Sequence, residues 1–147
     1  MRAKSDNAEF RLQCAIADHL RNRAVPGVYW TAIPNGEKRS AITGARLKRM
    51  GVRAGNPDLL LIKKGRCFGL ELKALRIGKR GEPLKGQGQS EAQIAVENDW
   101  LMAGGVYAVA TGATQALRIL EAWDLIRPDR SIRPVYPATA LQEKEEV

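Results

Sequence analysis

The chain has a single histidine, His19, and two cysteines, Cys14 and Cys67, in 147 residues. One imidazole excludes a multi-histidine metal centre. The cysteines form no C-x-x-C pair and have no Cys/His ligand spacing, so neither a disulfide nor a zinc site is expected. Both read as buried thiols. Aromatics are scarce: two Phe, three Trp and three Tyr. Tyr29 and Trp30 are expected in the core rather than as stacking platforms. No apolar run approaches the ~20 residues of a membrane helix. The opening Met1-Arg2-Ala3-Lys4-Ser5-Asp6 leads into a charged segment, not an apolar signal region, so an intracellular, cytoplasmic chain is expected. No G-x-x-x-x-G-K-[S/T] loop occurs, so no nucleotide cofactor is expected. There is no internal repeat. The length fits one domain with a real core.

Positive charge is abundant and unevenly placed. The net charge is +8. Residues 34–85 hold fourteen Lys/Arg against four acids, a net +10. Residues 1–33 sum to +2 and residues 86–147 to −4. A solvated basic surface would explain charge alone. A basic centre around carboxylates suits a polyanionic substrate better.

Periodicity orders the chain. Leu12, Ile16 and Leu20 recur at i, i+4, i+8 and predict a helix over 6–22, capped by Ser5 or Asp6. Residues 28–33 read as a strand, followed by the turn Pro34-Asn35-Gly36. Residues 45–50 read as a short basic helix ending at Gly51. Gly55-Asn56-Pro57 turns into a strand that opens at Asp58. Lys63-Lys64-Gly65-Arg66 connects it as a hairpin to residues 67–73. Ile77 to Gln89 is a Gly-rich basic loop, either an ordinary surface loop or a mobile one that closes on a backbone. A helix over 90–103, a buried strand over 106–110 and an amphipathic helix over 114–126 follow. The last uses Leu117, Leu120 and Trp123. The expectation is an α/β fold with a small mixed central sheet flanked by helices. A domain over 1–127 is expected to carry a peripheral or partly disordered tail over 128–147.

The chemistry concentrates at Pro57-Asp58 and, after twelve residues, Glu71-Leu72-Lys73. Side chains alternate along a strand, so Glu71 and Lys73 share one face and Leu70 and Leu72 the other. Asp58 alone could be a turn residue. Glu71 and Lys73 alone could be a solvated strand face. Acids and base on adjacent strands at one edge must face each other, and that favours a catalytic cluster. Hard oxygen ligands around Mg²⁺ or Mn²⁺, with a nearby ammonium, are what phosphodiester hydrolysis needs. Glu9 precedes Leu12 on the same stripe, and its residue-level reading favours a first-turn dipole partner. Ser90-Glu91-Ala92-Gln93 fits an S-x-x-Q capping box. One amide is expected not to serve both that cap and a site fully. Lys38 and Arg39 read either as a hairpin exit or as phosphate contacts.

Pro57-Asp58 and Glu71-Leu72-Lys73 together resemble the core of PD-(D/E)xK nucleases. Glu9, Ile33-Pro34-Asn35-Gly36 with Lys38-Arg39, the run Met50 to Asp58, and Ser90-x-x-Gln93 narrow this. The ordered set resembles the VRR-NUC (virus-type replication-repair nuclease) branch, over roughly residues 5–125. Stand-alone members are common in phages and resemble Holliday-junction resolvases, so a bacterial or phage-infected host is implied. The resemblance implies a restriction-endonuclease-like core and a metal-dependent endonuclease. It assigns Mg²⁺ or Mn²⁺ to Asp58, Glu71 and the Leu72 carbonyl, with Glu9 direct or through water. Lys73 would polarise the attacking water, and Gln93 would support Lys73. DNA contacts would fall on Lys38, Arg39, Arg46, Lys48, Arg49, Arg53, Lys79, Arg80 and Lys85. Branched DNA is the implied substrate, with a homodimer for two cuts. The alternatives are a non-catalytic DNA-binding module, a flap-type nuclease acting with a partner, and an RNA-binding accessory protein. An intact acid-acid-lysine set argues against pure binding. The missing aromatic sheet motifs argue against RNA.

Overall fold

Strands β2 (Leu59–Lys63) and β3 (Arg66–Lys73) are joined by only Lys64 and Gly65, at φ of 50° and 76°. Two consecutive positive φ values make the primed two-residue turn whose twist matches an antiparallel pair. The register it sets runs from Lys63 opposite Arg66 to Leu59 opposite Leu70. Strand β1 (Val28–Ala32) adds antiparallel to β2. Strand β4 (Val106–Thr111) adds parallel to the other side of β3. The sheet order is therefore β1-β2-β3-β4, with the charged strand β3 in its interior. A parallel neighbour needs a crossover, and helix α3 (Glu91–Met102) supplies it. Helices α1 (Ala3–Arg23), α2 (Ala41–Arg49) and α4 (Ala113–Ala122) complete the fold. The computed structural model describes residues 3–34, 40–84 and 88–129, without the side chains of 3–6. The expected mixed α/β order of elements is found.

The core lies between α1, α4 and one face of the sheet. Leu12, Ile16 and Leu20 of α1 meet Leu59, Leu61, Phe68, Leu70 and Leu72 of the strands. Ala116 and Leu120 of α4 close it, with Leu125 and Ile126 beyond the helix. Each fully buried Leu or Ile contributes about 1.5–3 kcal/mol relative to exposure. On the opposite face α3 approaches at Gly69. A Cβ there would stand 2.9 Å from the Tyr107 ring, 3.1 Å from Pro57 and 3.1 Å from Trp100. Only glycine lets Trp100 and Tyr107, whose rings meet edge-on at 6.1 Å, sit against the sheet.

Five local expectations change. Helix α1 begins at Ala3, ahead of Ser5 and Asp6, so neither is its cap. Cys14 is exposed, because it lies two residues, about 200°, around the helix from Leu12. Tyr29 is exposed while Val28 and Trp30 pack on the core, as strand alternation requires. Helix α2 starts at Ala41, earlier than Ala45, because the Ser40 side chain accepts the Thr43 N–H at 3.2 Å. Helix α4 stops at Ala122, not 126, because Asp124 takes φ 59°. The chain then turns back, pairing Ile126 with Ala24 beside α1. The loop after Lys73 is a tight ribbon as far as described. Leu84 N–H donates to Arg76 O at 2.8 Å and Gly78 N–H to Glu82 O at 2.7 Å. The tail from residue 130 lies outside the described residues. Among the described residues no helix is long and apolar enough to cross a membrane.

Gly69→Ala forces a methyl into the α3 contact. A loss of about 1–3 kcal/mol is expected in chemical denaturation, against no loss for Gly44→Ala, where space is open and the helical backbone suits alanine.

Candidate active site

Three chain segments meet at one end of the sheet. Asp58 enters from the turn before β2, directly after the fully buried Pro57. Its backbone is held because Ile33 N–H donates to Asp58 O at 2.9 Å, extending the β1–β2 pairing by one residue. Its side chain is held because Leu72 N–H donates to Oδ2 at 2.7 Å. Main-chain N–H and C=O of one strand residue point to the same edge. The Leu72 carbonyl therefore faces the Asp58 side, where β2 has already ended.

Glu71 and Lys73 leave β3 on the α3 face, while Leu70 and Leu72 enter the core. Glu71 is only 4% exposed. Lys73 Nζ lies 3.5 Å from Glu71 Oε1. Gln93, in the first turn of α3, ties both together. Its Nε2 donates to Glu71 Oε1 at 2.7 Å, and its Oε1 accepts from Lys73 Nζ at 3.2 Å. The same Oε1 accepts from Ser90 N–H at 2.9 Å, and Ser90 Oγ accepts from Gln93 N–H at 3.2 Å. The capping box and the site contacts therefore coexist. The expectation that one amide could not serve both is wrong, because the carbonyl oxygen has two lone pairs and the nitrogen is still free to donate.

The helix start is pinned by Gly55. A Cβ at Gly55 would overlap the Ala92 carbonyl group and stand 2.7 Å from Gln93 N. Its φ of 87° is also one that side-chain-bearing residues rarely adopt. The turn before Asp58 therefore lies directly against the backbone that presents Gln93. An open pocket of about 310 Å³ results, lined by Asp58, Glu71, Leu72, Lys73 and Gln93, and reached by Glu9 from α1. Glu9 is the seventh residue of α1, beyond the first turn where the helix dipole acts. The first-turn role is thereby removed.

Burial, then the neighbouring Asp58 charge, pushes the Glu71 carboxyl up to about 7, against the pull of Lys73. Burial also raises Asp58, although the Leu72 N–H favours its charged form. Glu9 adds to the raising of both. Tyr107, under the same face, is pushed above the ordinary phenol range by burial first and then by the Glu71 charge. Glu71 Oε2 is buried without a hydrogen-bond partner. Two costly carboxylates and an oxygen lacking a donor are what a divalent cation relieves. Among the described residues no three acidic, His or Cys side chains converge as one ligand cluster. A Mg²⁺ or Mn²⁺ ion here would be held by Asp58, Glu71 and the Leu72 carbonyl, with water or phosphate oxygens filling the remaining positions.

A solved structure described as a VRR_NUC domain protein superposes on this chain with a TM-score of 0.55. The match covers 79% of this chain and 87% of that one, at 20% identity. The fold is that of a VRR-NUC domain protein. No protein-family model and no curated protein matches the sequence. On this VRR-NUC fold the basic residues separate into groups. Arg46, Lys48 and Arg49 are exposed on α2, and Lys79 and Arg80 are exposed on the ribbon after β3. Arg53 instead bonds Asp99 of α3 at 2.7 Å and lines a neighbouring groove. Lys38, Arg39 and Lys85 lie outside the described residues. Two residues that matter here were not singled out from sequence. Gly55 was visible only as a turn residue, and Tyr107 only as part of an apolar strand.

Glu71 gives a pH signature in metal-free protein. Its folded-state pKa is about 7, above its ordinary value of 4.5. Between these values the folded state holds more protons than the unfolded state, so stability falls as pH rises through the window. Thermal melts from pH 4.5 to 7.5 in EDTA should show that decline, and Glu71→Gln should flatten it. Parallel curves for the two proteins would contradict the raised pKa.

Proposed function

We propose that this protein is a Mg²⁺- or Mn²⁺-dependent DNA endonuclease that hydrolyses phosphodiester bonds. We further propose branched DNA as its preferred substrate, and a homodimer, since a symmetric junction needs two cuts. The observation that carries the activity is Glu71: a carboxylate buried beside Asp58, with one oxygen bonded by Gln93 and the other without a donor. A stability role alone does not account for that arrangement, because an unpaired buried carboxylate oxygen is costly. The +10 charge of residues 34–85 supports a polyanionic substrate. The VRR-NUC fold supports the nuclease reading. The proposal places this action on DNA in the cytoplasm of a bacterium or a phage-infected host.

The chain's own groups divide the work. Asp58 and Glu71 present oxygens to the pocket, and Leu72 N–H keeps the Asp58 carboxylate turned toward Glu71. Lys73 is held by Gln93 with its ammonium at the pocket, where it can orient the attacking water and face the charge that develops on phosphate. Gln93 acts through Lys73 and Glu71 and is a positioning residue. A bound divalent cation would supply charge neutralisation on the phosphate and a more acidic water.

Asp58→Asn should abolish cleavage while DNA binding survives or tightens, since a negative charge beside phosphate is removed. Lys73→Ala should lower the cleavage rate by at least ~10²-fold. The assay is cleavage of labelled four-way junction, 5′-flap and linear duplex in Mg²⁺, Mn²⁺ or EDTA. Undiminished cleavage by Asp58→Asn would remove the metal-site assignment. Binding without cleavage in any metal would favour a non-catalytic module.

A further inference from the structure

Among the described residues helix α2 has no buried residue and no extensive contact with another helix or strand. Over residues 41–50 only Leu47 is less than exposed. Nine residues is below the ~12–15 at which a free helix holds its shape in water. The Ser40 cap supports its start, but no core burial supports its length. Both ends of the excursion that carries it are fastened at the active site. It leaves the sheet after Ile33, whose N–H bonds Asp58 O at 2.9 Å, and it returns at Asp58 itself. The two ends of the excursion thus meet at the carboxylate edge.

The exposed residues of α2 are ordered. Ile42, Arg46, Arg49 and Met50 fall at i, i+4, i+7 and i+8, one stripe along the helix. Ile42 is 73% and Met50 77% exposed. With Arg46 and Arg49, also exposed, they make one mixed apolar and cationic face. The stripe therefore places two cations between two apolar ends, and residues 40–53 contain no acid. A second copy of the chain is a poor occupant. A two-fold contact would set Arg46 and Arg49 against the same residues of the copy, and like charges across an interface are costly. A polyanion with an apolar interior is a good one. Phosphates suit the arginines, and base faces or sugars suit Ile42 and Met50. A helix, about 10–12 Å across with its side chains, also fits the ~12 Å width of a major groove.

We propose that the Ile42–Arg46–Arg49–Met50 stripe of α2 is the surface that recognises branched DNA, with the arginines on backbone phosphates and Ile42 and Met50 against bases left unstacked at the branch. Apolar wedges of this kind insert where base stacking is already interrupted, which a junction offers and a continuous duplex does not. This deepens the endonuclease reading and rests on it for its substrate class. The active site supplies the cut, and α2 supplies the choice of where to cut.

The test uses the full chain and three proteins: wild type, Ile42→Ser/Met50→Ser, and Arg46→Gln/Arg49→Gln. Binding to a four-way junction and to linear duplex of matched sequence is measured in EDTA across a salt series. Cleavage in Mg²⁺ and solution mass are measured separately. Because all four substituted residues are exposed, both variants should melt with the wild type. The apolar variant should lose about tenfold in its junction-over-duplex affinity ratio with its salt slope kept. The arginine variant should lose affinity for both DNAs, with a salt slope smaller by about 2. Unchanged ratio and slope would overturn the proposal, as would a fall in solution mass for the apolar variant, which would make the stripe a protein interface. Wild type that binds no DNA would overturn it too. Wild type that binds junctions but cleaves nothing would count against the nuclease reading alone, because the binding comparison needs no chemistry.

Discussion

The fold is organised around a carboxylate in the wrong place. Glu71 sits in an interior strand, almost without exposure, where an ionised group is costly unless it is paired and hydrogen-bonded. Lys73, two residues on, supplies charge from the same face. That is not enough, because Asp58 lies close by and opposes ionisation. The Gln93 amide completes the environment of one oxygen and leaves the other unbonded. Much of what surrounds β3 reads as the means of getting those three groups to one point. The two-residue turn sets the β2–β3 register that puts Asp58 beside Leu72, and Gly55 brings the α3 start against the Asp58 turn.

The start of α3 couples stability to chemistry. Gln93 Oε1 closes the capping box through Ser90 N–H and receives Lys73 at the same atom. A residue that caps a helix is fixed in rotamer by the helix itself. The site therefore inherits its order from secondary structure rather than from a flexible contact. The two faces of β3 show the same economy. One face is apolar and welds the strand to α1 and α4, so the other can hold charge without leaving the strand loose.

The chain's alternating and helical patterns made much of this legible beforehand. Period-2 alternation placed Glu71 and Lys73 together, and the Leu12–Ile16–Leu20 stripe located the core face of α1. Contacts set by the third dimension were not legible. Gly55 and Gly69 look like turn and strand glycines, and nothing local says that another backbone or an indole ring stands where a Cβ would be. Arg53 looks like one more cation in a basic run, yet it meets Asp99, 46 residues away. Cys14 was misplaced because it lies in an amphipathic segment beside core residues, although its angle on the helix points it outward. The α4 end was misplaced because Leu125 and Ile126 are core residues that continue the apolar pattern after the helix has stopped. Gln93 was underrated because an amide was treated as one group, when its oxygen and nitrogen can serve different partners.

The separation of α2 from the core has a physical consequence. Residues that hold the fold and the carboxylates are buried and mutually constrained, so substitutions there carry packing or desolvation costs. No residue of α2 is buried, and all but Leu47 are exposed. Their identity is free to change with little effect on stability, since exposed positions rarely contribute more than about 0.5 kcal/mol. The segment that follows α2 is held to α3, by Arg53 on Asp99 and by Gly55 against the helix start. As the proposed reader of DNA structure, α2 could change its preference without disturbing the buried carboxylates. On the proposed reading, recognition on an unburied helix and hydrolysis on a buried strand let one small domain meet both demands.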